Sequence, residues 1–157
     1  MEGGVVERAR ARLIARVIDL YIGVHHGAMY RRLDGGVDRR AALEELMGGF
    51  DVLEKTLPDN GDEGGGYALG GVGPSLADAA LIGNLAFYDF HLRPMFGIEV
   101  ERGRPKVGKW MGFMREESEA ARGVYGEVWG SLEKWWRDGR YEKLGIKALV
   151  GACPSRP

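Results

Sequence analysis

The chain has 157 residues, a length at which one domain buries one continuous core, and its 22 lysines and arginines nearly balance 23 aspartates and glutamates. That balance gives no overall field to attract a polyanion, so nucleic acid is not an expected partner. A single cysteine, Cys153, excludes an internal disulfide, and no apolar run approaches the ~18 residues of a membrane span. A soluble, cytoplasmic protein is therefore expected. Arg8, Arg10, Arg12 and Arg16 give the start of the chain some likeness to an organelle-import segment, but Asp19 and a strong apolar stripe favour a structural helix.

The first predicted helix runs from Val5 to Leu33 and ends at Gly35-Gly36. Val6, Ala9, Leu13, Val17, Leu20 and Val24 recur at three- and four-residue spacing, which predicts one buried stripe; Ile14, Ile18 and Tyr21 widen it. Arg8, Arg12 and Arg16, at steps of four, form a basic edge beside it. A second helix follows the N-cap Asp38 and carries Leu43, Leu46, Phe50, Leu53 and Leu57 on one face until Pro58. The two helices should pair as an antiparallel hairpin. Between Asp59 and Pro74 the chain is rich in glycine and reads as a long exposed loop.

Ser75-Leu76-Ala77-Asp78 fits a capping box, in which the serine hydroxyl accepts from the Asp78 amide while the carboxylate accepts from the Ser75 amide. From Ala79 to Tyr88 no residue is charged, so this helix is apolar nearly all round and should run through the middle of the domain. Asp89, His91 and Arg93 restore polarity before Pro94, and a loop through Gly97 and Gly103 follows. Pro105 suits the first turn of a helix bearing Val107, Trp110, Met111 and Met114. A last helix, Ser118 to Trp136, offers Tyr125, Val128, Trp129, Leu132 and Trp136. No alternating β-branched run is present, so the fold class is all-α, about five helices over residues 1–150 with a tail over 151–157. Gly23, Gly83, Gly112 and Gly126 lie inside helical stretches, where close helix packing is their expected use.

Chemistry-bearing clusters are sparse. His25 and His26 are adjacent, about 100° apart on a helix, and His91 has no companion in the sequence, so no metal site is expected and His91 is given a surface or capping role. Cys153, between Ala152 and Pro154, reads as a passive thiol. The run Gly64-Gly65-Gly66-Tyr67-Ala68-Leu69-Gly70-Gly71 lacks the strand and lysine of a phosphate-binding loop and reads as a flexible connection. Trp129, Trp135 and Trp136 are expected to give core rings and one exposed ring.

The order of these elements, with Gly73-Pro74-Ser75-Leu76-Ala77-Asp78-Ala79-Ala80 opening the apolar helix and Pro105-Lys106-Val107-Gly108-Lys109-Trp110 opening the next, resembles the C-terminal helical domain of the glutathione transferase superfamily over Val5 to Ile146. The flanking apolar staple of that family is weak here, with Pro74 and Ala79 in its positions. The resemblance implies that Ser75 and Asp78 cap the central helix. It implies that the first helix, with Arg8, Arg12 and Arg16, borders a subunit interface, and that Tyr21, His25 and Met29, opposed by Tyr125 or Trp129, line an apolar acceptor pocket; a solvated arginine face and plain packing account for the same residues. The family activates glutathione in an N-terminal thioredoxin-like domain, and nothing before Val5 supplies one. No catalytic residue transfers to this sequence. The expectation is thus a transferase-related helical domain, inactive as this chain, for which glutathione becomes a cofactor only if a thioredoxin-like partner domain is supplied. The alternatives are a non-catalytic interaction subunit, with a protein partner or a second copy, and a carrier of a hydrophobic small ligand.

Overall fold

A computed structural model describes residues 4–31, 38–59, 65–146 and 151–156. The described residues contain helices and turns and no strand, in line with the all-α expectation. Five of the helices are long: α1 (Val5–Val17), α3 (Arg39–Thr56), α4 (Leu76–Phe96), α5 (Pro105–Glu116) and α6 (Glu119–Arg137). α2 (Gly27–Tyr30) and α7 (Arg140–Lys143) are single turns. No described helix is long and apolar enough to cross a membrane. Gly35-Gly36 and the earlier part of the glycine-rich loop lie outside the described residues.

Local chemistry places the starts. Asp38 accepts from the Arg40 amide at 2.8 Å to open α3, and Ser118 accepts from the Ala121 amide at 3.3 Å to open α6. Pro105 occupies the first turn of α5, whose free amides at Lys106 and Val107 donate to the Glu54 carboxylate at 3.1 and 2.9 Å. α4 is buried along most of its circumference and packs between α1 and α6, as its uncharged sequence predicts. It continues through Pro94 to Phe96 rather than stopping before the proline. Pro94 is exposed, and Gly97 in the left-handed region (φ 68°) closes the helix.

The first helix departs most from expectation. It is not continuous to Leu33: a π turn at Ile18–Ile22 and a 3-10 turn at Gly23–His25 separate α1 from α2. The predicted buried stripe is also the wrong face. Val6, Ala9, Leu13, Leu20 and Val24 are exposed and only Val17 of that set is buried, while Ala11, Ile14, Ile18 and Ile22 face the core. Apolar residues occupy both sides of this helix, so periodicity alone did not choose between them. Packing against α3 and α4 did.

Among the described helical glycines, the closest packing is at Gly49 of α3. A Cβ there would lie 2.6 Å from the Tyr21 carbonyl oxygen and 2.8 Å from Ile22 Cγ1, whereas Gly83 and Gly112 face open space. Gly49→Ala is expected to lower unfolding free energy by about 1–3 kcal/mol, because backbone must move to admit it. Gly48→Ala, with nothing within 4 Å, should instead stabilise by up to ~1 kcal/mol. Denaturant midpoints of the two variants that shift in the same direction would contradict this packing.

Candidate functional site

The best-built polar centre lies where α4 begins. Asp78 is 1% exposed, yet its carboxylate collects four donors: the Ser75 amide at 2.8 Å and the Ser75 hydroxyl at 2.7 Å on Oδ2, with the Ala68 amide at 2.8 Å and Trp110 Nε1 at 2.9 Å on Oδ1. The capping box read from the sequence is present. Its reach beyond the helix is new. Asp78 fastens the 65–70 segment, which is therefore packed rather than loose: Ala68 is buried, and the Tyr67 ring meets Phe113 edge-on at 4.9 Å. A buried carboxylate is tolerable only when its lone pairs are so satisfied.

Beside this centre the N-terminal half of α1 and the 69–76 segment enclose a hollow of about 670 Å³. Leu69, Val72, Leu76 and Ala11 supply apolar walls, and Arg8 and Arg12 stand on its α1 side. Glu7, also at the hollow, accepts from the Gly4 amide at 2.9 Å. Arg16, one turn further along, is exposed and pairs with Asp19 at 3.6 Å.

The candidate pocket residues are distributed differently. Tyr21 is 49% exposed, His25 half-buried and Met29 fully buried, all in the stretch from the π turn to α2. Tyr125 and Trp129 are buried on α6, their rings stacked at 5.8 Å. Tyr125 donates to Asp89 Oδ2 at 2.9 Å, and Arg115 donates to both oxygens of the same carboxylate. Burial, reinforced by the Asp89 charge, pushes the Tyr125 hydroxyl far above its ordinary range. The tail closes over this group, with the Arg156 guanidinium 5.2 Å from the Tyr125 ring centroid.

Two histidines are built into the core. His91 is not at the surface: it is fully buried, Nδ1 donating to the Phe87 carbonyl at 2.7 Å and Nε2 accepting from the Tyr141 hydroxyl at 2.9 Å. That pattern requires the neutral Nδ1–H tautomer. His26 pairs with the buried Tyr88 hydroxyl at 2.9 Å, and the Phe87 ring lies about 6 Å from both imidazoles. Burial pulls each histidine down to about 4. Trp129 and Trp136 are buried, and Trp135 is half-buried beneath the Arg140 guanidinium at 3.9 Å. Cys153 is partly buried, and burial raises its thiol, which leaves it a poor nucleophile at neutral pH. Among the described residues no group of three or more potential ligands is placed to hold a metal ion.

The sequence missed the partners of Asp78 and Asp89 because they come from distant positions. A signal was present in each case: a lone acid at either end of an otherwise uncharged stretch must find donors elsewhere in the fold.

These features define a helical-bundle domain organised on a capped apolar helix. Residues 7–112 match the family model for the glutathione S-transferase, C-terminal domain, and the chain belongs to that family. Among curated proteins none matches it.

Proposed function

We propose that this chain is the helical half of a glutathione-transferase-like protein and does not conjugate glutathione by itself. The observation that carries this reading is how completely its buried polar groups serve one another. Among the described residues every buried side-chain nitrogen and oxygen has a partner, and Asp78, Asp89 and His91 are all committed to structural bonds. A group that activates a thiol must instead present an available base or donor to the reacting atom. In this reading a thioredoxin-like domain, absent from these 157 residues, supplies the glutathione chemistry. Purified protein, assayed with glutathione and an aryl-halide acceptor, is expected to match the uncatalysed rate. Turnover above a heat-inactivated control that persists in Cys153→Ser would overturn the proposal.

A second reading, that of an interaction subunit, is favoured by one observation. Val6, Leu13, Leu20 and Val24 are each more than half exposed on the same helical segment. Such a run of apolar surface marks a contact face more often than it marks solvent.

A further inference from the structure

We propose that the junction of α6 and α7 binds a small organic phosphate, at a site independent of the function proposed above. Gly139, in the left-handed region (φ 70°), turns the chain between the two helices and brings Arg140 back over Trp135, its guanidinium 3.9 Å from the ring centroid. Trp135 is itself held in place, because Tyr30 and Phe87 meet its ring with centroids at 5.9 and 6.2 Å. A guanidinium stacked on a fixed ring still presents its N–H donors in the plane, and it has already given up much of its rotamer freedom. An anion that meets this planar fork edge-on is therefore bound at little further cost in order.

Arg140 and Trp135 line a hollow of about 550 Å³ together with Lys134, Asp138, Lys143 and Leu144. Among the described residues none of its three cations lies within ion-pair distance of a carboxylate. The dipole of α6 accounts for Lys134 in its last turn, but Arg140 and Lys143 lie beyond that helix. Like charges gathered in one concavity repel unless an anion joins them. Three cations against the single carboxylate of Asp138 leave an excess of two positive charges, which a phosphate monoester, close to a dianion at neutral pH, matches better than a carboxylate does. Leu144 and the half-buried Trp135 ring add an apolar wall for the organic part. A polynucleotide would need a basic track, whereas the chain's net charge is -1 and this surplus is confined to one hollow. A membrane surface would need a protruding apolar anchor, and among the described residues every exposed large hydrophobic side chain lies outside 134–144.

The test titrates the full chain with phenyl phosphate by calorimetry at physiological ionic strength, with benzoate, inorganic phosphate and phosphatidic acid vesicles as further arms. Heteronuclear NMR locates the response. Phenyl phosphate is expected to bind more tightly than benzoate or inorganic phosphate and to shift the Trp135 indole and Arg140 Nε resonances. Arg140→Lys, which keeps the charge and loses the planar fork, should weaken binding about tenfold. Asp138→Asn removes only the opposing carboxylate and should tighten binding severalfold, a gain that an unfolded variant does not produce. Arg122→Gln, exposed near the other end of α6, should leave the affinity unchanged. Absence of binding, or weaker binding by Asp138→Asn, would overturn the proposal. Equal losses in Arg122→Gln and Arg140→Lys would reduce the effect to general charge screening and overturn it as well. Benzoate that binds as tightly as phenyl phosphate would remove the phosphate assignment. Preferential binding to vesicles, lost in Arg140→Lys, would give the hollow to a lipid headgroup and exclude the soluble ligand.

Discussion

Asp78→Ala is expected to lower the unfolding free energy by roughly 3–6 kcal/mol, a large part of the ~5–15 kcal/mol that holds a domain of this size together. Loss of an ordinary N-cap costs only about 0.5–2 kcal/mol. The larger figure follows from the other two donors. Removing the carboxylate leaves the Ala68 amide and Trp110 Nε1 facing an apolar void, and each unsatisfied buried donor costs about 1–3 kcal/mol. Asp78→Asn should recover part of the loss, since its oxygen can accept from that pair while its amide group confronts the Ser75 amide, itself a donor. A cycle with Trp110→Phe isolates the long-range component and is expected to give a coupling of about 1–3 kcal/mol. Denaturant midpoints measure all of these. A cost for Asp78→Ala within the range of an exposed cap, with no coupling to Trp110, would remove Asp78 from the centre of the fold.

The second large effect is acid lability. His26 and His91 are held to about 4 in the fold by burial, against 6.5 for an unfolded imidazole. The depressed folded value means that the native state favours the neutral ring. The associated stability is complete above pH ~6.5 and is lost as the pH falls from there toward ~4, because the unfolded chain takes up protons that the native core refuses. Each histidine accounts for about 3 kcal/mol over that interval. Carboxyl groups ordinarily titrate at about 4, so the histidines set the slope over the upper part of this interval. Urea titrations between pH 7 and 4 should show unfolding free energy falling with the uptake of about two protons, and His26→Gln should bring this to about one. A flat profile over that range would show that these rings are not held neutral.

How far the sequence carried depends on how local each determinant is. The start of α3 after Asp38, of α5 at Pro105 and of α6 after Ser118 were all legible, because cap and helix lie within one turn of each other. The capping box was legible for the same reason. Trp110, 32 positions from Asp78, carries nothing in its neighbourhood that names a partner, and Phe113 beneath the 65–70 segment carries no more. The orientation of α1 was illegible for a different reason. With Ile14, Ile18 and Ile22 on one side and Val6, Leu13 and Leu20 on the other, either face satisfies a helical period, and only the rest of the fold breaks the tie.

The π turn at Ile18–Ile22 makes the chain's length at this point a structural variable. An i→i+5 turn accommodates about one residue more than an α turn, so everything beyond it is set about 100° away from the α-helical register. Removing one residue here, even the exposed Asp19, would let an ordinary α-helix form more readily than before while turning His26 away from the Tyr88 hydroxyl and Met29 out of the core. The local helix would gain and the domain would lose. A deletion within these five positions thus differs in kind from a substitution at any one of them, and homologous chains that keep the His26–Tyr88 pair must keep the residue count between α1 and α2 as well.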